Sequence, residues 1–327
     1  MIKIKTRSKI FEYFLFFLLI SFAAVLTVGE RYHKVVSDGV LLWAAVIVPS
    51  LFPYFFITAV LSSLSVTEKI ALRFSFFTKK VFNTGGITSY AFIMSLLSGF
   101  PVGAKLVSEL YSLGCISETE ALRASSFCAT ASPVFLISAV GKIMFDNVLF
   151  GVCLFAANLL SALFSGVLLA FYKRKEKPLD KYCAFFTASK NLLYDSVLSG
   201  VTSVLCVGGI IVIFYLLTEV LCVLKIIAPV KWLFSLVLGD KGLGYAAAEG
   251  LIECTRGLKT LSLGGIKFLS LPVAAATVGF GGFSVIAQSM AFLKKAKIKT
   301  AAFVLIKLLT AVIGFVFGII FSLIFFY

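Results

Sequence analysis

Apolar residues in this chain fall into long unbroken blocks separated by short polar or basic connections. The blocks run over residues 11–28, 39–63, 88–112, 121–141, 147–172, 197–224, 268–290 and 301–326. A weaker stretch at 229–250 is interrupted by Lys231, Asp240 and Lys241. A helix needs roughly 20 apolar residues to cross a bilayer. The blocks are continuous rather than alternating, which fits helices and not the strands of a barrel. The pattern predicts an all-α polytopic membrane protein of about eight transmembrane helices. It divides into an N-terminal helix and loop (1–38), a first half (39–172), a basic linker (173–190) and a second half (191–327).

Two blocks contain residues that no straight helix sustains. Segment 88–112 is interrupted by Ser98-Gly99-Phe100-Pro101-Val102-Gly103, and segment 121–141 by Ala129-Thr130-Ala131-Ser132-Pro133. Pro49 and Pro53 predict a kink in the second block. Backbone groups freed at membrane depth must be buried in protein or line a wet cavity. The charges give an independent reason to expect an incomplete crossing. Basic residues cluster at 3–9, at Lys69, Arg73, Lys79 and Lys80, at Lys173, Arg174, Lys175, Lys177 and Lys181, and at Lys294, Lys295, Lys297 and Lys299. If all four clusters are cytoplasmic, an even number of crossings separates each pair. Three apolar blocks lie between Lys80 and Lys173, so one of them enters and leaves on the same side. The same parity requires that 229–250 does not cross. Gly99-Phe100-Pro101 finds an echo in Gly279-Phe280-Gly281, and span 39–63 would run opposite to span 197–224. Together these features predict broken or re-entrant helices in an inverted repeat.

Composition narrows the class. The 327 residues are 60% hydrophobic and only 14% charged, and mean hydropathy is +1.06. That excludes an ordinary soluble enzyme and a disordered chain. The net charge of +15 does not point to nucleic acid, because the basic residues sit in connections between apolar blocks. The scattered cysteines read as small buried hydrophobes. Nothing resembles a metalloprotease, a P-loop or a nucleophile elbow, so neither an enzyme nor a cofactor is expected.

Candidate chemistry lies at the breaks. Ser98, Gly99, Phe100, Pro101, Gly103 and Lys105 form one substrate-binding candidate, with Ser132 and Pro133 at the second break. Lys105 either meets an anion beside half-helix N-termini or balances Glu109 one turn away. Glu249 and Glu253 share a helix face, with Arg256 within reach of Glu253. They read as coupling carboxylates, together with Glu109, or as a salt-bridged interfacial helix. Gly279, Phe280, Gly281, Gly282, Ser284 and Gln288 form a last candidate, serving as an unwound binding turn or as close packing. The expected partners are the lipid bilayer and a small anion. Self-association, or association with other membrane proteins, stays open.

Pro49-Ser-Leu-Phe-Pro53, Ser98-Gly-Phe-Pro-Val-Gly-Ala-Lys105, Glu118-Thr-Glu-Ala121, Phe127-Cys128 leading to Ser132-Pro133, and Gly279-Phe-Gly-Gly282 through Ala287-Gln288 resemble the sporulation integral membrane proteins of the YlbJ type, within the wider Gate or nucleoside-recognition group. In place of the Asn-rich polarity expected after Phe127-Cys128, this chain has Ala129 and Thr130. The resemblance implies a transporter of endospore formers in the mother-cell-derived outer forespore membrane, moving dipicolinate toward the spore. Lys105 would meet the dianion, and Phe100 and Phe280 would cover its ring. A scaffold of sporulation that transports nothing, and a nucleoside or ion transporter, are the alternatives.

Overall fold

A computed structural model describes residues 29–64, 72–179 and 191–327, with positions 20, 23 and 69. The expected first span (11–28), the basic residues at 3–9 and Lys181 lie outside the described residues. Within them every regular element is helical. Five helices are long and apolar enough to cross a membrane: Glu30–Leu61, Val148–Ala170, Leu192–Val223, Ser270–Ala296 and Thr300–Phe325.

The first half starts with α1 (Glu30–Leu42), a π-helical turn (Trp43–Ile47) and α2 (Val48–Ser62). Pro49 and Pro53 offer no N–H to the helix; the wider turn, closed by Val48 N–H donating to Trp43, precedes Pro49, and Pro53 sits inside α2. The short α3 (Ser75–Phe82) leads to α4 (Thr88–Ser98) and α5 (Val102–Ser112). Next comes α6 (Glu118–Phe127), a break, and a π-helix (Phe135–Met144), before α7 (Val148–Ala170). A reciprocal capping box starts α6: Ser117 accepts from Glu120 N–H at 3.2 Å, and the Glu120 carboxylate takes Ser117 N–H at 2.8 Å.

The second half repeats this order. A long helix, α8 (Leu192–Val223), is followed by a short one, α9 (Ala228–Leu238). A helical pair follows, α10 (Lys241–Ile252) and α11 (Cys254–Ser262). After it come a broken helix, α12 (Ser270–Phe280) with α13 (Gly282–Leu293), and a last long helix, α14 (Thr300–Phe325).

The basic connections gather at one end. Buried Arg123 donates to the carbonyls of Asn83 (2.6 Å), Tyr172 (2.7 Å) and Lys173 (2.8 Å), tying the loops after α3 and α7 together. Lys173, Lys297 and Lys299 line one crevice there, and Lys79, Lys80 and Arg174 another. The opposite end holds the α7 N-terminus, the loop before α12 and the last residues. Phe150 stacks on Phe145 and meets Phe326 edge-on, and Phe268 meets Tyr327. Lys267 donates to Asp240 at 2.5 Å, and this bond holds that carboxyl below its usual range.

This placement identifies the block that does not cross. In α4–α5 the tip is Gly99-Phe100-Pro101, and both outer ends lie at the basic end: Gly85 N–H donates to Glu120 beside α4, and Ser108 donates to Phe292 C=O beside Lys294. Segment 88–112 is therefore a hairpin, while 118–144 runs from the basic end to the opposite end with its break on the way. Stretch 229–250 does not cross either. Its first part is the short α9. Its second part is one arm of the α10–α11 hairpin, whose ends meet through Asp240 and Lys267 opposite the basic end. Element order pairs the Gly99 tip with the Glu253 tip, and the 128–133 break with Gly281. Gly99-Phe100-Pro101 thus lies at a hairpin tip, and Gly279-Phe280-Gly281 at the junction of α12 and α13.

Candidate functional site

In each half the hairpin tip presses on the neighbouring break, and glycine makes the contact possible. Gly99 lies at φ +76°, and a Cβ there would come 2.7 Å from Ser132 N. A Cβ on Gly103 would overlap the Cys128 carbonyl oxygen. In the second half Gly282, at φ +73°, would place a Cβ 2.9 Å from Gly250 O and 3.0 Å from Cys254 N. Gly257 of α11 abuts Gly250 of α10, which lets the second hairpin close. Only glycine tolerates both the backbone angle and the approach at positions 99 and 282.

The two tips face a common small cavity of about 50 Å³, lined by Phe100 from the first hairpin and Glu253, Cys254 and Thr255 from the second. Phe135 and Gln288, from the helices after each half's break, complete it, with Ile47, Leu51, Val207 and Ile211 as an apolar wall. A space of this size holds a few waters. Glu253, 1% exposed, caps α11 by accepting Arg256 N–H at 2.6 Å and lies 3.5 Å from the Ser284 hydroxyl. No lysine or arginine side chain pairs with it among the described residues. Gln288 is 6% exposed, and its amide has no hydrogen-bond partner among the described residues. The Gln288 amide opens onto the cavity, whereas next to it the Ser289 hydroxyl is a fully buried polar atom without a hydrogen-bond partner among the described residues.

Behind Phe100 sits Lys307 of α14, which sequence reading missed. Its ammonium is buried (2% exposed), donates to Ala129 C=O at 3.0 Å, and lies 5.2 Å from the Phe100 ring centroid. No carboxylate pairs with it among the described residues. A lysine two turns into the apolar block 301–326 was the available signal, since a charge inside a span marks a cavity or a partner.

Lys105, the lysine singled out in the sequence, lies elsewhere. Its side chain is 49% exposed, and its ammonium is 4.0 Å from Glu109, on the wall of a polar cavity of about 260 Å³. Ser98, Tyr90, Asp195, Ser196 and Ser199 line the same cavity, and Ser98 donates to Thr58 Oγ1 at 2.6 Å. The hairpin tip and α2 contribute to both cavities: Ser98 and Phe55 line this one, and Phe100 and Leu51 line the central one.

The remaining candidates divide between packing and site. Ser132 caps the π-helix by accepting Phe135 N–H at 3.3 Å, and Pro133 follows at its start. Gly279 lets α12 touch α14 at Ala311, and Phe280 packs edge-on against Phe283 beside an apolar crevice, away from the central cavity. Glu249 and Glu253 part company: Glu253 sits at the break, whereas Glu249 accepts from Lys231 (2.8 Å), Arg256 (3.2 Å) and Thr260 (2.8 Å). The Arg256 side chain reaches Glu219 at 2.7 Å, and only its backbone reaches Glu253. Arg31 adds a second ion pair to Glu219 at 2.6 Å. Among the cysteines, Cys115 is disulfide-bonded, a departure from the buried-thiol expectation, while Cys128, Cys153, Cys206, Cys222 and Cys254 are free. The described residues bring no three potential metal ligands together.

Comparison with known proteins agrees with the resemblance read from the motifs. The chain is 28% identical to the sporulation integral membrane protein YlbJ of Bacillus subtilis (strain 168), over 92% of this chain and 80% of that protein. No family model matches. No solved structure matches either.

Proposed function

We propose that this YlbJ-type sporulation membrane protein is a transporter that moves a small anionic metabolite, dipicolinate, across the outer forespore membrane during spore formation. The observation that carries this reading is the convergence of two hairpin tips and two helix breaks on one cavity holding Glu253 and the unpartnered Gln288. A scaffold has no use for interrupted helices at membrane depth, since every freed backbone group costs stability. Transporters place such interruptions around their substrate.

In this reading the two halves, whose hairpins enter from opposite ends, act as an inverted repeat around the central cavity. The polar cavity beside Lys105 and Glu109 is the vestibule on the basic, cytoplasmic side. Ser98, Gly99, Phe100 and Pro101 form the barrier between vestibule and cavity, with Gly103, Ser132 and Pro133 bracing it from behind. Gly282 and Ser284 brace the second tip, and Gln288 reads the substrate. Glu253, which lacks a cationic side chain beside it, is the coupling carboxylate. Glu249 is committed to Lys231 and Arg256 and serves to hold the hairpin.

Labelled dipicolinate supplied to vesicles containing only the purified protein tests the proposal. Saturable uptake well above that of empty vesicles is expected. Correctly inserted protein that takes up none would favour the scaffold, and uptake of nucleosides in its place would favour the wider Gate-group reading.

A further inference from the structure

Four facts meet around Phe100. Lys307 is a buried ammonium with one hydrogen-bond acceptor for its three N–H donors and no carboxylate beside it. Its acceptor, Ala129 C=O, belongs to the break after α6, where a backbone carbonyl has lost its helical partner. The Phe100 side chain touches both the ammonium and the central cavity, since its ring carries the Lys307 ammonium and also lines that cavity. Gln288 waits across that cavity with an unpaired amide. A lysine needs a partner inside a span, and the resting partners here, one carbonyl and one ring face, are weak ones.

We propose that Lys307 is the counter-charge of the substrate site, and that Phe100 is the door between it and the central cavity. When the Phe100 side chain swings aside, the cavity gains the volume of a phenyl ring and opens onto the ammonium. A carboxylate entering there replaces Ala129 C=O as the acceptor of Lys307, and a second polar group of the same ligand meets Gln288. The ligand class is a compact carboxylate with a second polar group within a ring's breadth. This rests on the anion-transport reading above and moves its charge recognition from Lys105 to Lys307.

The test uses the full-length protein in lipid nanodiscs, with thermal unfolding followed as dipicolinate is titrated. Wild type and the exposed control Lys142→Gln should gain thermal stability with the same concentration dependence. Lys307→Gln keeps a donor toward Ala129 C=O but removes the charge, and should need at least about tenfold more dipicolinate for the same gain. The neutral analogue pyridine-2,6-dimethanol should discriminate poorly between Lys307→Gln and wild type. An unchanged dipicolinate response in Lys307→Gln would overturn the role of Lys307 and leave anion transport standing. No response in wild type would overturn the anion reading itself, and this inference with it. If Lys307→Gln does not yield monodisperse protein, Lys307→Arg decides: it should keep the response, and a folded Lys307→Arg protein without one would refute the counter-charge role.

Discussion

The two hairpins do the same architectural work with opposite chemistry. The α4–α5 hairpin ends in an apolar tip, Phe100, and its Ser98 and Lys105 face a polar cavity completed by Asp195 and serines of α8. The α10–α11 hairpin ends in a carboxylate, Glu253, and beside its outer wall lies an apolar crevice lined by residues such as Phe234, Leu251, Phe280 and Phe315. Their fastenings differ too. The first is held through glycine contacts, with α6 beside it anchored by Arg123 on backbone carbonyls. The second is latched by ions, with Arg256 joining Glu219 of α8 to Glu249 of its own partner arm and Lys231 of α9 closing the set. A tip braced by packing has many neighbouring states of similar energy, whereas a tip held by buried ion pairs has few, because breaking one pair strands the other charges. The first hairpin therefore depends for its hold on close packing, and the second on charge.

The largest effect should come from breaking the ionic latch. Arg256→Met leaves Glu219 and Glu249 with fewer cations in a buried setting, and a loss of about 3–5 kcal/mol is expected. Thermal unfolding in detergent would show it, and a wild-type midpoint would mean that the latch does not hold the second hairpin.

Next comes the packing brace of the first hairpin. A Cβ at Gly103 collides with the Cys128 carbonyl, so Gly103→Ala should cost about 1–3 kcal/mol. Gly209→Ala, inside α8 with nothing within 4 Å of the new Cβ, should be neutral or slightly stabilising. Equal effects from the two substitutions would show that the close approach at Gly103 carries no weight.

At the bottom of the scale stands the exposed pair Lys142–Asp146, 2.7 Å apart at the end opposite the basic loops. Lys142→Ala should leave the unfolding midpoint within error. A clear drop would mean that this end is covered, by lipid or by another chain, in the working protein.

Much of this frame is legible in the sequence because bilayer crossing imposes strong local rules. Long apolar blocks, the basic-loop parity and the Gly99-Phe100-Pro101 interruption together require a block that turns back, and 88–112 is that block. The site was less legible. Lys105 drew notice because it follows the break, but four positions beyond Pro101 the helix has already turned its side chain toward the wet cavity. Lys307 carries no local motif, and its importance depends on α14 packing across the Ala129 break, a contact 178 residues distant in sequence. Glu253 and Glu249 looked alike as a spaced pair, and only the break at Glu253 separates their roles.

The central claim is that transport passes through the cavity between the two hairpin tips. Phe100 and Val285 line that cavity from opposite halves, so cysteines at both positions, in a background without other cysteines, can be bridged by a short thiol-reactive linker. Dipicolinate uptake into vesicles should proceed before bridging, stop on bridging, and be unaffected by the same linker in either single-cysteine protein. Bridged protein that still transports at the unbridged rate would contradict the claim.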